Sequence, residues 1–299
     1  MKIDMVTVPY RYDRRGDGAG QGPDALLAAG LLERLARAGV SSSVPAVAEL
    51  TEDERATGSI AVNVGRLGAH TAELVATSRA ESARVLVLSG DDTAMVGVVS
   101  GLQRAHGADA KIGLVWLDAH GDFNTPDTSY SGILAGMPVA ILAGLAGPLW
   151  RGAAGLTAPI ATDRIVISGV RELDEREETL LNSTDVSVVR GHDVTGHERA
   201  IDRLARTCDI LCLHIDLDVL DPALVPSSGT PEPGGMTIAE AARFVKVVTD
   251  TDKVAVVSIA GLNPGAGQRG RKSTASTLEL IEAVVPGWVA ESGNGHANA

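Results

Sequence analysis

Three clusters of ligand-type residues follow apolar runs: Asp91 and Asp92 after "VLVLSG", Asp118, His120 and Asp122 in "LDAHGDFNTP", and His214, Asp216 and Asp218 in "LHIDLDVLDP". In the second cluster these residues alternate with Ala119 and Gly121, and in the third with Ile215 and Leu217. In an extended segment that alternation puts each set on one face. Burying several carboxylates together is prohibitive unless they reach solvent or hold cations. A lone aspartate at a strand end is ordinarily a turn or helix cap, but capping does not call for D-x-H-x-D beside H-x-D-x-D. Oxygen-rich ligands with an occasional imidazole suit Mn²⁺ or Mg²⁺ better than Zn²⁺. Two such ions sharing carboxylates could activate one water between them.

The elements that must position these residues are legible as short apolar runs: "KIDMVTV", "RVLVLSG", "KIGLVWLDAH", "RIVISGV", "DILCLHIDLDVLD" and "KVAVVSIAGL". Continuous rather than alternating hydrophobicity predicts strands covered on both faces. Between them lie helical patterns, among them "GPDALLAAGLLERLARAG", opening at Pro23 and stopping near Gly39, "IAVNVGRLGAHTAELVATSRA" and "TIAEAARFVKVVTD". Strands alternating with helices predict an α/β fold with a parallel sheet wrapped on both sides. In such sheets ligands bind at the carboxyl ends of the strands, where the three acidic clusters stand. No long Pro/Gly/Ser linker and no repeat divides the chain, so one domain is expected. The tail "ESGNGHANA" reads as small, polar and frayed.

Composition bounds the function. The 299 residues carry 26 basic and 38 acidic side chains, a net charge of −12. That balance argues against nucleic acid or an anionic membrane as main partner. No apolar run approaches the ~20 residues of a membrane span, and the N-terminus lacks the features of a signal peptide. With aromatic content at 3%, no stacking platform is evident. Cys208 and Cys212 have no histidine or further cysteine at zinc-site spacing. They read as reduced, buried thiols in a cytoplasmic protein.

The segments "SGDDT", "DAHGDFNTP" and "DLDVLDP" resemble the three metal motifs of the arginase/ureohydrolase family, which includes arginase, agmatinase and formimidoylglutamase. The likeness runs from "VPY…GQGPDALLAAGLLERL" to about residue 285. It implies a three-layer α/β/α fold; with the absence of a linker, a single domain is expected over residues 1–290, and the polar composition makes 291–299 a flexible tail. It also implies hydrolysis of C–N bonds in small guanidino or amidino compounds, and a homo-oligomer, either trimer or hexamer. Two Mn²⁺ per chain are implied, or one if a site has been lost. Carried over by motif, one ion would be held by Asp92, Asp118, Asp122 and Asp216, the other by His120, Asp118, Asp216 and Asp218. Asp122 would also orient the attacking water. Asn124 and Ser131 match positions that contact a substrate α-carboxylate, Asp174 one that reads the α-amino group, and Thr230 a substrate-side hydroxyl.

Three positions depart from the family pattern. Asp92 stands where the family usually has a histidine ligand, replacing a neutral nitrogen by a charged oxygen. Ala135 stands where arginases have a histidine that shuttles protons, and alanine transfers none; His214 is the candidate stand-in. Gly261 stands where a glutamate usually pairs with the guanidinium. Losing such a buried charge-assisted contact costs on the order of 2–5 kcal/mol. The leading expectation is therefore a metal-dependent amidinohydrolase for a substrate with an amino-acid end and a less basic head, such as N-hydroxyarginine. The alternatives are a degenerate homologue that binds metal or ligand or partners an active relative, and an ordinary arginase or agmatinase. Ala135 and Gly261 weigh against the latter.

Overall fold

The apolar runs become strands because their residues are covered on both sides. All six residues of Ile112–Leu117 and all seven of Val254–Ala260 are buried. The structure, a computed structural model, describes residues 2–81, 83–107 and 109–290. The tail expected at 291–299 lies outside them.

Strand β1 (Lys2–Val8) leads into a hairpin, β2 (Tyr10–Arg11) and β3 (Arg14–Arg15), then the short β4 (Ser41–Ser42) and β5 (Ala46–Val47). The remaining strands are β6 (Arg84–Ser89), β7 (Ile112–Leu117), β8 (Ile165–Val170), β9 (Ser187–Arg190), β10 (Ile210–Asp216) and β11 (Val254–Ala260). Nine strands form one sheet in the order β4-β1-β6-β11-β10-β7-β8-β9, with β5 also on β1. Every pairing within it is parallel.

Alternate residues of each central strand feed two cores. Leu86, Leu88, Val115, Leu117, Leu213, Ile215, Val257 and Ile259 face one side, packed with Leu31, Leu35, Phe244, Ile281 and Trp288 from helices. Val85, Val87, Leu114, Trp116, Cys212 and Val256 face the other, packed with Val64, Leu67, Val98, Leu102 and Trp150. The result is a three-layer α/β/α sandwich. Each fully buried aliphatic side chain contributes roughly 1.5–3 kcal/mol relative to an exposed one. Cys208 and Cys212 are buried and unpaired. No helix among the described residues is long and apolar enough to cross a membrane.

Three expectations about elements are corrected. The first helical pattern is not one helix but two, Gly22–Ala28 and Leu31–Arg37, because Gly30 takes φ +86° between them. An apolar periodicity survives such a break, so it could not report it. Strand β7 ends at Leu117, so Asp118, His120 and Asp122 are not an extended run; Asp122 sits at φ +47°. Strand β10 ends at Asp216, and Asp218 lies in the 3-10 turn Leu217–Val219.

Candidate active site

The carboxyl ends of β6, β7, β10 and β11 are adjacent in the sheet, and four loops leave them together. Asp92 opens the 3-10 turn after β6, Asp118 follows β7, Asp216 closes β10, and Gly261 follows β11. Asp118 is 1% exposed and held on both oxygens: the Trp116 indole N–H donates to Oδ2 at 2.9 Å and the His120 backbone N–H to Oδ1 at 2.7 Å. The Asp218 backbone N–H donates to Asp216 Oδ1 at 2.7 Å, and the Thr230 hydroxyl donates to Asp218 Oδ2 at 2.8 Å. Local hydrogen bonds therefore fix the carboxylates at the strand ends. The turn geometry that broke the extended alternation is what aims them.

Two sets of ligand atoms converge to within 4.8 Å: Asp118, His120 and Asp218, and Asp92, Asp118 and Asp216. Asp118 belongs to both. His120 sits between two carboxylates, its Nδ1 3.3 Å from Asp118 Oδ1 and 3.1 Å from Asp218 Oδ2. Burial opposes its charge, but the hydrogen bonds to Asp118 and Asp218 outweigh burial and push its pKa up to about 12. Burial, followed by the neighbouring carboxylates, drives Asp122 and Asp216 well above the usual range. Burial and Asp118 push Asp218 up to about 7. Asp122 Oδ2 is buried with no hydrogen-bond partner.

An orphaned carboxylate oxygen beside carboxylates that repel one another fits divalent cations, which would satisfy both defects. The donor set that fits is Asp92, Asp118, Asp122, Asp216, Asp218 and His120, with oxygen predominating. The hardness of that set favours Mn²⁺ or Mg²⁺ over Zn²⁺.

A cavity of about 180 Å³ opens over the acids, and Asn124, Ser131, Ala135, Asp174 and Thr230 line it. The Asn124 amide donates to Asp174 Oδ2 at 3.1 Å, so these two form one polar rim. Ser131 is exposed, and its hydroxyl accepts from the Ile133 N–H. His214 does not line this cavity. It is fully buried, its Nε2 lies 2.9 Å from Asp92 Oδ1, and its ring packs on Trp116 at 4.0 Å between centroids. The structure thus puts His214 behind Asp92, with Asp92 between its Nε2 and the cavity.

Glu177 and Arg171 were not singled out in the sequence, and Asp91 was named only with its neighbour. Glu177, 3% exposed, accepts from the Phe123 N–H at 2.8 Å and lines the cavity, with burial pushing its pKa up to about 7. Its signal was available: Asp174 and Glu177 form a capping box at the helix Glu175–Asn182. Arg171 donates to the carbonyls of Asp218, Val219 and Glu232, tying the Asp218 loop to β8. Asp91 accepts from the N–H of Tyr12 at 2.8 Å and of Thr93 at 3.0 Å, which anchors the β2–β3 hairpin beside the site. Burial raises the Asp91 pKa to about 6.

The Arginase family model matches residues 1–285. The chain belongs to the arginase family. An arginase of Agrobacterium fabrum is 32% identical over 89% of this chain and 86% of its own length, and one of Bacillus caldovelox is 28% identical over 91% and 94%. The crystal structure of arginase from Bacillus subtilis superimposes with a TM-score of 0.82 at 27% identity, covering 99% of this chain and 100% of that one. Formimidoylglutamase from the same species shares the fold alone, at a TM-score of 0.72 and 16% identity. Against the arginase family pattern, Gly261 is more than a missing carboxylate. It sits at φ +92°, and a Cβ built on it would lie 2.6 Å from Asp216 Oδ1. No side chain fits there without moving an acid of the cluster.

Proposed function

We propose that this protein is a binuclear, Mn²⁺-dependent hydrolase of a C–N bond in a guanidino or amidino compound with an amino-acid end and a modified head, such as N-hydroxyarginine. The observation that carries the reading is the sharing of Asp118 by two converging ligand sets beneath a cavity rimmed by Asn124 and Asp174. When bound, the ions would supply Lewis-acid polarisation and a lowered water pKa.

The chain's own residues do the rest. The Asn124 amide and Ser131 hydroxyl offer donors to a substrate carboxylate, and Asp174 offers an acceptor to its ammonium. Asp122 Oδ2, unpartnered and aimed among the acids, is placed to take and hold a proton from the attacking water. Thr230 and Trp116 hold Asp218 and Asp118 by hydrogen bonds. Glu177 secures the Phe123 backbone, and with it the turn that carries Asp122. His214 supports Asp92 rather than exchanging protons with substrate. With no imidazole at Ala135 and no anion at Gly261, a strongly basic guanidinium has neither a proton shuttle nor a partner there. A less basic head needs both less.

The test is amine release by Mn²⁺-loaded protein. Ornithine should form faster from N-hydroxyarginine than from arginine. Silence toward guanidino and amidine substrates, with fewer than two ions bound per chain, would instead indicate a degenerate homologue.

A further inference from the structure

A second cavity, of about 240 Å³, meets the first at the acid cluster. The two share Asp92, Ile133, Ala135, Asp216 and Thr230. The first carries the Asn124–Asp174 rim. The second is bounded by Gly261, Asn263, Gly229 and the hairpin residues Arg11 and Tyr12. At the junction Ala135 offers only a methyl group, and on the wall of the second cavity Gly261 offers no side chain. The positions read above as catalytic losses therefore both border the second chamber, Ala135 where it meets the acids and Gly261 beside Asp216.

That chamber has its own chemistry. Among the described residues lining it, Arg11 is the one cation. Its guanidinium lies over the Tyr12 ring at 5.5 Å, and no ion pair with a carboxylate holds it among the described residues. Asp91, which lines the same chamber, is committed to Tyr12 and Thr93. Tyr12 is in the left-handed region at φ +57°, held there by the Asp91 bond. A strained non-glycine residue kept at a site by a hydrogen bond to a buried carboxylate marks a position the fold over-determines. Here it fixes the hairpin that presents Arg11.

We infer that the second chamber is a head-group subsite for a carboxylate-bearing substituent on the outer guanidine nitrogen, with Arg11 as its specificity-determining contact. The inference rests on the hydrolase reading above and names its substrate class, in which the carboxylate of the arm, rather than a lowered basicity, offsets the guanidinium charge that Gly261 leaves without a partner. The amino-acid end lies on the Asn124–Asp174 side, the guanidine carbon at the acids, and the carboxylated arm toward Arg11. Hydrolysis then balances with water alone. One water oxygen joins the guanidine carbon, the bond from that carbon to the inner nitrogen breaks, and the inner nitrogen leaves as the amine with one of the water's protons. The carboxylated arm leaves on a substituted urea.

The experiment is calorimetric binding of arginine, N-hydroxyarginine and Nω-carboxymethyl-arginine to Mn²⁺-loaded full-length protein, with a parallel assay for ornithine and carboxymethylurea. Wild type should bind the carboxymethyl compound at least tenfold more tightly than arginine. Arg11→Met should abolish that ratio, change arginine affinity less than twofold and leave the melting temperature unchanged, because Arg11 is exposed. Arg11→Lys should keep part of the preference, since a point charge replaces a bidentate fork. Equal binding by wild type, or a preference that survives in Arg11→Met, overturns the subsite. A preference with no ornithine from any of the three compounds leaves the subsite standing and removes the hydrolase reading; ornithine without a preference does the reverse.

Discussion

The His214 imidazole lies 2.9 Å from Asp92, with Nε2 facing Oδ1, and both side chains are buried at the carboxyl end of the sheet. The ring's other nitrogen faces the Ser258 hydroxyl at 3.3 Å. Position 92 is where the resemblance to the family implies a histidine; here an imidazole from β10 lies behind the carboxylate and supports it. Outer partners of this kind commonly change metal affinity 10–100-fold.

His214→Leu is accordingly predicted to weaken Mn²⁺ binding at the Asp92 set by about 10–100-fold, while the set containing His120 and Asp218 keeps its ion. His214→Gln, which retains a donor near the Nε2 position, should recover most of the loss. Metal titration followed by electron paramagnetic resonance reads both sites. Unchanged affinity at both in His214→Leu refutes the supporting role.

Asp91 serves a different purpose from its neighbour. Because its carboxylate accepts from Tyr12 and Thr93 within the buried interior, Asp91→Ala should cost about 1–3 kcal/mol through unsatisfied donors. The loss should be concentrated in the hairpin, so amide exchange at residues 10–15 should accelerate more than in β7 or β10. Uniform acceleration would show that Asp91 holds the whole fold rather than the hairpin.

Gly261→Glu should not create a guanidinium partner. A non-glycine residue in the left-handed region costs roughly 1–2 kcal/mol, and here the Cβ also meets Asp216. The variant is expected to have a lower melting temperature and less bound Mn²⁺. Wild-type metal content together with tighter arginine binding would contradict this.

Stability of the metal-free protein should fall as pH rises. Asp91, Asp218 and Glu177 have folded pKa values of about 6, 7 and 7, above the ordinary values near 4 for unfolded carboxyl groups. Asp122 and Asp216 are raised as well. Between about pH 4 and 7 the folded state therefore binds more protons than the unfolded one, and the slope of stability against pH is negative. His120, raised to about 12, adds a contribution that is complete below about pH 6.5 and is lost progressively as pH climbs from there toward about 12. The lowered carboxyls Glu54 and Glu240 act only below the ordinary carboxylate range, and His197, lowered to about 4 by burial, opposes the decline up to about pH 6.5 but is outnumbered by the raised carboxyls. In chelator, the melting temperature should decline from pH 5 to 8, and saturating Mn²⁺ should reverse the decline. A chelated protein that gains stability over this range would contradict the assignment.

The sequence by itself determined the layers, the strands and the acids. Unbroken apolar runs such as Ile112–Leu117 have one stable use, as parallel strands between helical layers, and every one of these residues is buried. Residue type likewise pointed to Asp118, His120, Asp216 and Asp218, whose ligand atoms converge in the structure, since clustered carboxylates at strand ends have few uses besides cations. Direction was not legible. Whether Asp122 and Asp218 reach the cluster depends on a left-handed residue and a 3-10 turn, not on strand alternation. His214 shares the period of Asp216, yet tertiary packing against Trp116 and Asp92 turns it away from the cavity. Nor could local sequence reveal that Arg11, Ala135 and Gly261 meet around one chamber. They lie far apart in the chain, and adjacency across a sheet is set by strand order, which only the packed structure decides.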